Sequence, residues 1–252
     1  MKYANYISGA CLVFVLIVLF GSGVAEAATA QEIVDSVIDE LNNVSDYTAT
    51  LAADYDNSEL DDMTGGSLQW KRNSTTWKTK IVSGSPYTCT YKCDGTVWNM
   101  LDSDDPVGTT VVAAKAHGDT YTRFNFAFDM FNMENILDNE TWTKDDNTAT
   151  VNSVVCYRVY TTKDDTNYEV WIDEATMKKV IRVKATDEDD DLEWQLDYSN
   201  YSNVENTAQL AGTIVTKHYA NDTLGLTTTY TFSSVNINEG LANSIFTCEQ
   251  MP

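Results

Sequence analysis

The chain has 252 residues, 43% of them hydrophobic, with 38 acidic and 16 basic side chains and a net charge of −22. A surface this acidic repels nucleic acid and anionic headgroups over a Debye length, which excludes a nucleic-acid role. The length and apolar content suffice for one large domain or two small ones. The chain opens with an apolar block, Ile7 to Phe20, followed by Gly21-Ser22-Gly23 and then Ala25-Glu26-Ala27. A hydrophobic core before an A-x-A site is the pattern of a secretory signal peptide, so residues 1–27 are expected to be removed on export. Lys2 is the only basic side chain ahead of the block. The alternative is an uncleaved anchor, because Ile7 to Ala25 is close to the shortest helix that spans a bilayer.

After this leader, Thr29 to Asn42 reads as a helix. Ile33, Val34, Val37, Ile38 and Leu41 form one apolar stripe. Thr29 can cap its start, and Glu32 suits the positive end of the helix dipole. The texture then becomes alternating and rich in Thr, Val and aromatic residues. Strands are predicted over Tyr47–Tyr55, Gly66–Lys71, Thr76–Val82, Tyr87–Cys93 and Thr96–Leu101. Asp94-Gly95 between the last two is a strong hairpin signal. Further strands are predicted over Thr148–Thr161, Asn167–Asp173, Lys179–Thr186, Glu193–Tyr198, Thr213–His218 and Thr227–Val235. One segment departs from the pattern. Phe124 to Leu137 holds Phe124, Phe126, Phe128, Met130, Phe131, Met133, Ile136 and Leu137, with no Gly or Pro. It reads as a short helical piece, either a core plug or a lid whose Met and aromatic side chains repack around a ligand. The predicted fold is α+β and mostly β: one curved antiparallel sheet, an N-terminal helix on its concave side, and a helical lid over the opening.

Four cysteines follow the leader, Cys89, Cys93, Cys156 and Cys248. An even number in an exported chain suggests two disulfides. Cys89 and Cys93 are about 13 Å apart on a straight strand, too far to bond to each other, so bridges from this hairpin to Cys156 and Cys248 are expected. Five Asn-x-Ser/Thr sites, at Asn43, Asn73, Asn139, Asn200 and Asn221, permit glycosylation.

Motifs for chemistry are sparse. There is no Gly-x-Ser-x-Gly, His-Glu-x-x-His, P-loop or dinucleotide fingerprint, and only two histidines, His117 and His218. Asp54 to Ser58 lacks the glycine and glutamate of a calcium loop, and Asp187 to Asp191 reads as a solvated turn. No enzymatic activity, cofactor or metal is expected. The unusual resource is aromatic: Trp70, Trp77, Trp98, Trp142, Trp171 and Trp194 are spread over the chain. On an open curved sheet they can line a cavity for a lipid chain as well as fill a core.

Gly66-Ser67-Leu68-Gln69-Trp70-Lys71-Arg72 resembles the "G-x-L-x-h-K-R-P" strand of the LolA-type lipoprotein carriers. Cys93-Asp94-Gly95-Thr96-Val97-Trp98 is similar to their "S-D-G-K-x-h-W" hairpin. Tyr168 to Asp173 followed by Val180 to Val183 resembles their late strand pair, and Asn243 to Phe246 their close. The resemblance implies an incomplete (half) β-barrel over residues 28–252, wrapped around the helix and closed by a lid. It implies a monomeric, exported, non-enzymatic carrier that shields a lipid or a lipoprotein acyl chain, with a membrane-protein handoff partner left open. The cavity and lid residues are then Trp70, Trp77, Trp98, Trp171 and Trp194, with Phe124, Phe126, Phe128, Met130, Phe131 and Met133. Arg72 matches the arginine that holds the lid, so its replacement is expected to change ligand retention more than folding. Asn73 replaces the motif's proline, and the acidity and cysteines depart from the bacterial carrier. The same fold also implies an alternative, a membrane-anchored envelope sensor or protein-binding domain.

Overall fold

The computed structural model describes residues 28–56, 62–73, 76–84, 89–93, 97–102, 110–116, 137, 141–163, 165–187, 191–220 and 222–248. Helix α1 spans Ala30–Asn42, as the periodicity predicts. Thr29 caps it reciprocally: its hydroxyl accepts from the Glu32 N–H at 3.2 Å, and the Glu32 carboxylate accepts from the Thr29 N–H at 2.8 Å. This arrangement satisfies two donors that a helix start leaves open. Bonds from the Thr29 N–H and, at 2.9 Å, from the Thr29 hydroxyl to the Glu32 carboxylate hold that carboxyl below its ordinary pKa. Ile33, Val34 and Val37 are buried, each worth about 2 kcal/mol relative to exposure.

Among the described residues sixteen strands follow: β1 Asp46–Tyr55, β2 Met63–Asn73, β3 Thr76–Val82, β4 Cys89–Cys93, β5 Val97–Asp102, β6 Thr110–Ala116, β7 Thr143–Lys144, β8 Ala149–Val151, β9 Val154–Lys163, β10 Thr166–Asp173, β11 Val180–Thr186, β12 Leu192–Ser199, β13 Ser202–Val204, β14 Ala208–Leu210, β15 Thr213–Ala220 and β16 Thr223–Ile237. All but β13 and β14 form one antiparallel sheet ordered β6-β5-β4-β3-β2-β1-β16-β15-β12-β11-β10-β9-β7, with β8 also on β9. The last strand thus joins two meanders by pairing with β1 on one side and β15 on the other. Among the described residues the edge strands β6 and β7 do not pair, so the sheet is open and not closed into a barrel. In β1 the alternation is clear: Tyr47, Ala49, Leu51, Ala53 and Tyr55 are buried, while Thr50 and Asp54 are exposed. Among the described residues no helix is long and apolar enough to cross a membrane.

Three strand readings change. The predicted run Thr148–Thr161 is a hairpin, split by Asn152 and Ser153, whose φ values of 48° and 67° turn the chain between β8 and β9. Two left-handed residues make such a turn without glycine, and Asn is a residue type that tolerates it. Strands β13 and β14 are three residues each, too short to register as periodicity. Strands β6 and β7 have no counterpart among the predicted strands.

A loop after β16 is tied back to the turn between α1 and β1. The buried Asp46 carboxylate accepts from the N–H groups of Glu239, Gly240 and Leu241 at 2.8, 2.9 and 3.2 Å. Asn238 accepts from the Ser45 N–H at 2.7 Å and donates to the Asn43 carbonyl at 2.9 Å. The turn from α1 into β1 is therefore fixed by residues almost two hundred positions later. Beyond this loop Phe246, in a 3-10 turn at Asn243–Phe246, is fully buried.

The sheet's other face carries a charged cluster. Asp197 accepts from Arg182 at 2.6 Å, Gln195 at 2.6 Å, Lys217 at 3.3 Å and Asn152 at 3.3 Å. Burial alone would raise its carboxyl pKa, but the hydrogen bonds from Arg182 and Gln195 and the two positive charges outweigh it and hold the group below its ordinary value. A depressed folded-state pKa means stabilisation that is full above the unfolded value of about 3.9 and is lost as pH falls through the folded one. The melting temperature of the native chain should therefore drop more steeply between about pH 4 and pH 2 than that of Asp197→Asn. Parallel profiles by circular dichroism would contradict this.

Candidate functional site

The face that α1 covers, here the inner face, holds the main core. Tyr47, Leu51, Leu68, Trp70, Val170, Ile172, Val183 and Ile214 pack with the helix stripe. The C-terminal half of α1 leaves an open seam against the sheet, lined by Val37, Leu41, Val180, Tyr198, Leu210 and Ala211. Its rim is the ion pair of Lys178 with the buried Glu40 at 2.8 Å, and Glu40 also accepts from the Gln209 N–H at 2.7 Å. These contacts hold the helix to one end of the inner face.

Toward the other end of the same strands the core continues in aromatic side chains. Tyr168, near the start of β10, and Trp194, near the start of β12, are half-buried against it. Their ring centroids are 6.2 Å apart with planes at 60°, a tilted geometry favourable to aromatic pairs. Leu137 and Trp142 belong to the same core. Leu137 is fully buried, and its carbonyl accepts from the Trp142 indole N–H at 3.0 Å. Leu137 ends the segment expected to form a lid. Phe124, Phe126, Phe128, Met130, Phe131 and Met133 lie outside the described residues.

The predicted tryptophans do not share one place. Trp70 is buried in the main core. Trp77 and Trp98 lie on β3 and β5, in register with Arg72 and Cys93 respectively. Trp171 is a correction to the predicted cavity lining. Its chain neighbours Val170 and Ile172 face the main core, and Trp171 packs with Val151, Cys156 and Ile181 in a separate cluster. Successive strand residues point to opposite faces, so Trp171 belongs to the outer face, where Arg158 and Lys184 lie over its ring at 5.8 and 5.5 Å.

Among the described residues no disulfide is present, and the side chains of Cys89 and Cys93 lie outside what the structure describes. Cys156 is a buried free thiol, its Sγ 3.4 Å from the Val154 carbonyl. Burial, with the Asp173 charge beside it, pushes that thiol up to about 11, so it is a protonated packing group at neutral pH. Cys248 lies beside β4, with its Sγ 3.4 Å from the Lys92 carbonyl.

Arg72 reaches the opposite end of the inner face from Trp194. Its Nη2 donates to the Leu41 carbonyl at 3.1 Å and its Nε to the Val44 carbonyl at 3.4 Å, with the guanidinium 5.5 Å from the Trp70 ring. Helix α1 has no basic residue in its last turn, and Arg72 supplies that charge from the neighbouring strand. These contacts give Arg72 a structural role at the end of α1, beside the lid-holding role that the resemblance implies. Arg72→Ala should cost about 1–2 kcal/mol in urea denaturation, and Arg72→Lys should recover less than half of it. An unchanged midpoint for Arg72→Ala would refute this role.

No family model matches the chain, and no curated protein matches it. Solved structures do. A DUF1329 family protein from Desulfovibrio piger superposes with a TM-score of 0.63 at 12% identity, covering 87% of this chain and 97% of that one. A LolA superfamily protein from Nitrosomonas europaea gives 0.58 at 12% identity, covering 88% and 99%. A domain named as an outer membrane lipoprotein-sorting protein, from Vibrio parahaemolyticus, gives 0.56 at 13% identity, covering 86% and 97%. Identities this low speak to fold and not to activity. The open antiparallel sheet with one capped helix on its inner face is thus a LolA-like fold.

Proposed function

We propose that this chain is an exported, non-enzymatic carrier that shelters a lipid, or the acyl chain of a lipoprotein, on the inner face of a half-open barrel. The observation that carries the reading is the Tyr168–Trp194 pair, which extends the apolar core past the end held by α1. The burial of Leu137 in that core supports a lid role for Phe124 to Leu137, because it brings the end of the segment to the inner face. The fold neighbours add support, since one is named for lipoprotein sorting. Residues 1–27 act in this reading as the export leader.

The energetics suffice without catalytic groups. Ten buried methylenes at about 0.8 kcal/mol each give about 8 kcal/mol, in the micromolar range. Trp194 then contacts the ligand and Trp171 does not. In titrations with a fluorescent long-chain fatty acid, Trp194→Ala should weaken binding at least about ten-fold, the loss expected on removing a large apolar contact. Trp171→Ala, on the outer face, should change it less than about two-fold. Equal effects of the two substitutions, or no saturable binding by the native chain, would overturn the proposal.

A further inference from the structure

This acidic chain has 16 basic side chains, and most of those described have a partner where they stand. Arg158 faces Asp145 and Glu169, Arg182 and Lys217 face Asp197, and Lys178 faces Glu40. Lys144, Lys179 and Lys184 lie over aromatic rings, and Lys71 donates to the Leu241 carbonyl. Lys78, Lys80 and Lys92 are the exception. Among the described residues no carboxylate, aromatic ring or carbonyl partners any of their ammonium groups.

These three lysines are also contiguous. Thr79 and Ile81 of β3 are buried toward the inner face, so Lys78 and Lys80 point the other way. Lys80 stands directly opposite Lys92 on β4, and Lys78 directly opposite Lys71 on β2. Like charges directly opposed across a sheet are destabilising, and a chain with a surplus of acids has ready means to relieve them. We propose that the outer face of β3 and β4 docks the molecule reversibly on an anionic lipid surface.

The chemistry of the patch favours headgroups over a protein partner. Protein interfaces are enriched in Arg, Tyr and Trp and depleted in Lys. The outward positions here are Lys78, Lys80 and Lys92, beside Val82 and Thr90, which pair with each other across the strands. Lysine is a compact charge on a flexible stem, suited to mobile phosphates without fixed geometry. The negative charge elsewhere repels the same surface, so approach is oriented with this face toward the membrane. This inference does not rest on the ligand reading.

The test is flotation of the full chain with vesicles of phosphatidylcholine alone or with phosphatidylglycerol added. The readout is the ratio of the two bound fractions, which removes headgroup-independent insertion by the apolar run Ile7 to Phe20. At about 0.1 M salt, where the acidic remainder of the surface is screened beyond about 10 Å, the native chain should favour the anionic vesicles several-fold, and the preference should fade as further salt screens the patch itself. The triple variant Lys78→Gln, Lys80→Gln, Lys92→Gln should lose the preference and melt no lower than the native chain, since opposed charges are relieved. A control with the same charge change, Lys144→Gln, Lys163→Gln, Lys179→Gln, should keep it. A ratio near one for the native chain, retention by the first variant, or equal loss in the control would overturn the proposal. A ratio near one would also turn attention to an acidic protein partner.

Discussion

Helix α1 is held at one end of the inner face, and the rest of the architecture follows from that placement. Its start is closed by the Thr29–Glu32 box. Its Leu41 carbonyl is capped by Arg72 from β2, and its flank is tied by Glu40 to Lys178 and to β14. The turn that follows is locked by Asp46 and Asn238 to the loop after the last strand. Every link after the first crosses from the helix or its exit to a distant part of the chain. A fifteen-residue strand, β16, can then bridge the two meanders in a fixed register.

A helix so fixed cannot slide along the sheet to cover all of it. Its stripe of Ile33, Val34 and Val37 fills the core near Tyr47 and Trp70. Tyr168 and Trp194 lie past it and stay half-buried. Large apolar side chains left at the margin of a core are costly unless something covers them. In the proposed carrier the cover is the segment that ends at Leu137 together with the ligand beneath it.

Much of this was legible in the sequence, and the exceptions have physical reasons. The helix, its cap and most strand spans follow from periodicity and cap chemistry, which are local. The hairpin at Asn152-Ser153 was missed because its left-handed turn uses no glycine. Trp171 and Trp194 both sit in alternating runs, and a period of two cannot say which face is the inner one. That choice depends on which neighbours join the core that the helix stripe fills, and Val170 and Ile172 do. Cys156 was read as half of a bridge because an even count is a global argument, whereas its strand position buries it beside Trp171. Arg72 was picked out by resemblance, yet its described partners are carbonyls at the end of α1, information that lives only in three dimensions.

The central claim is that the inner face beyond α1 holds a lipid. Native mass spectrometry of the chain recovered from its own envelope, followed by lipid extraction, tests it most directly. The account predicts a mass above that of the polypeptide and a co-purifying lipid or acylated peptide. A clean polypeptide mass that stays unchanged when long-chain lipids are added would contradict it.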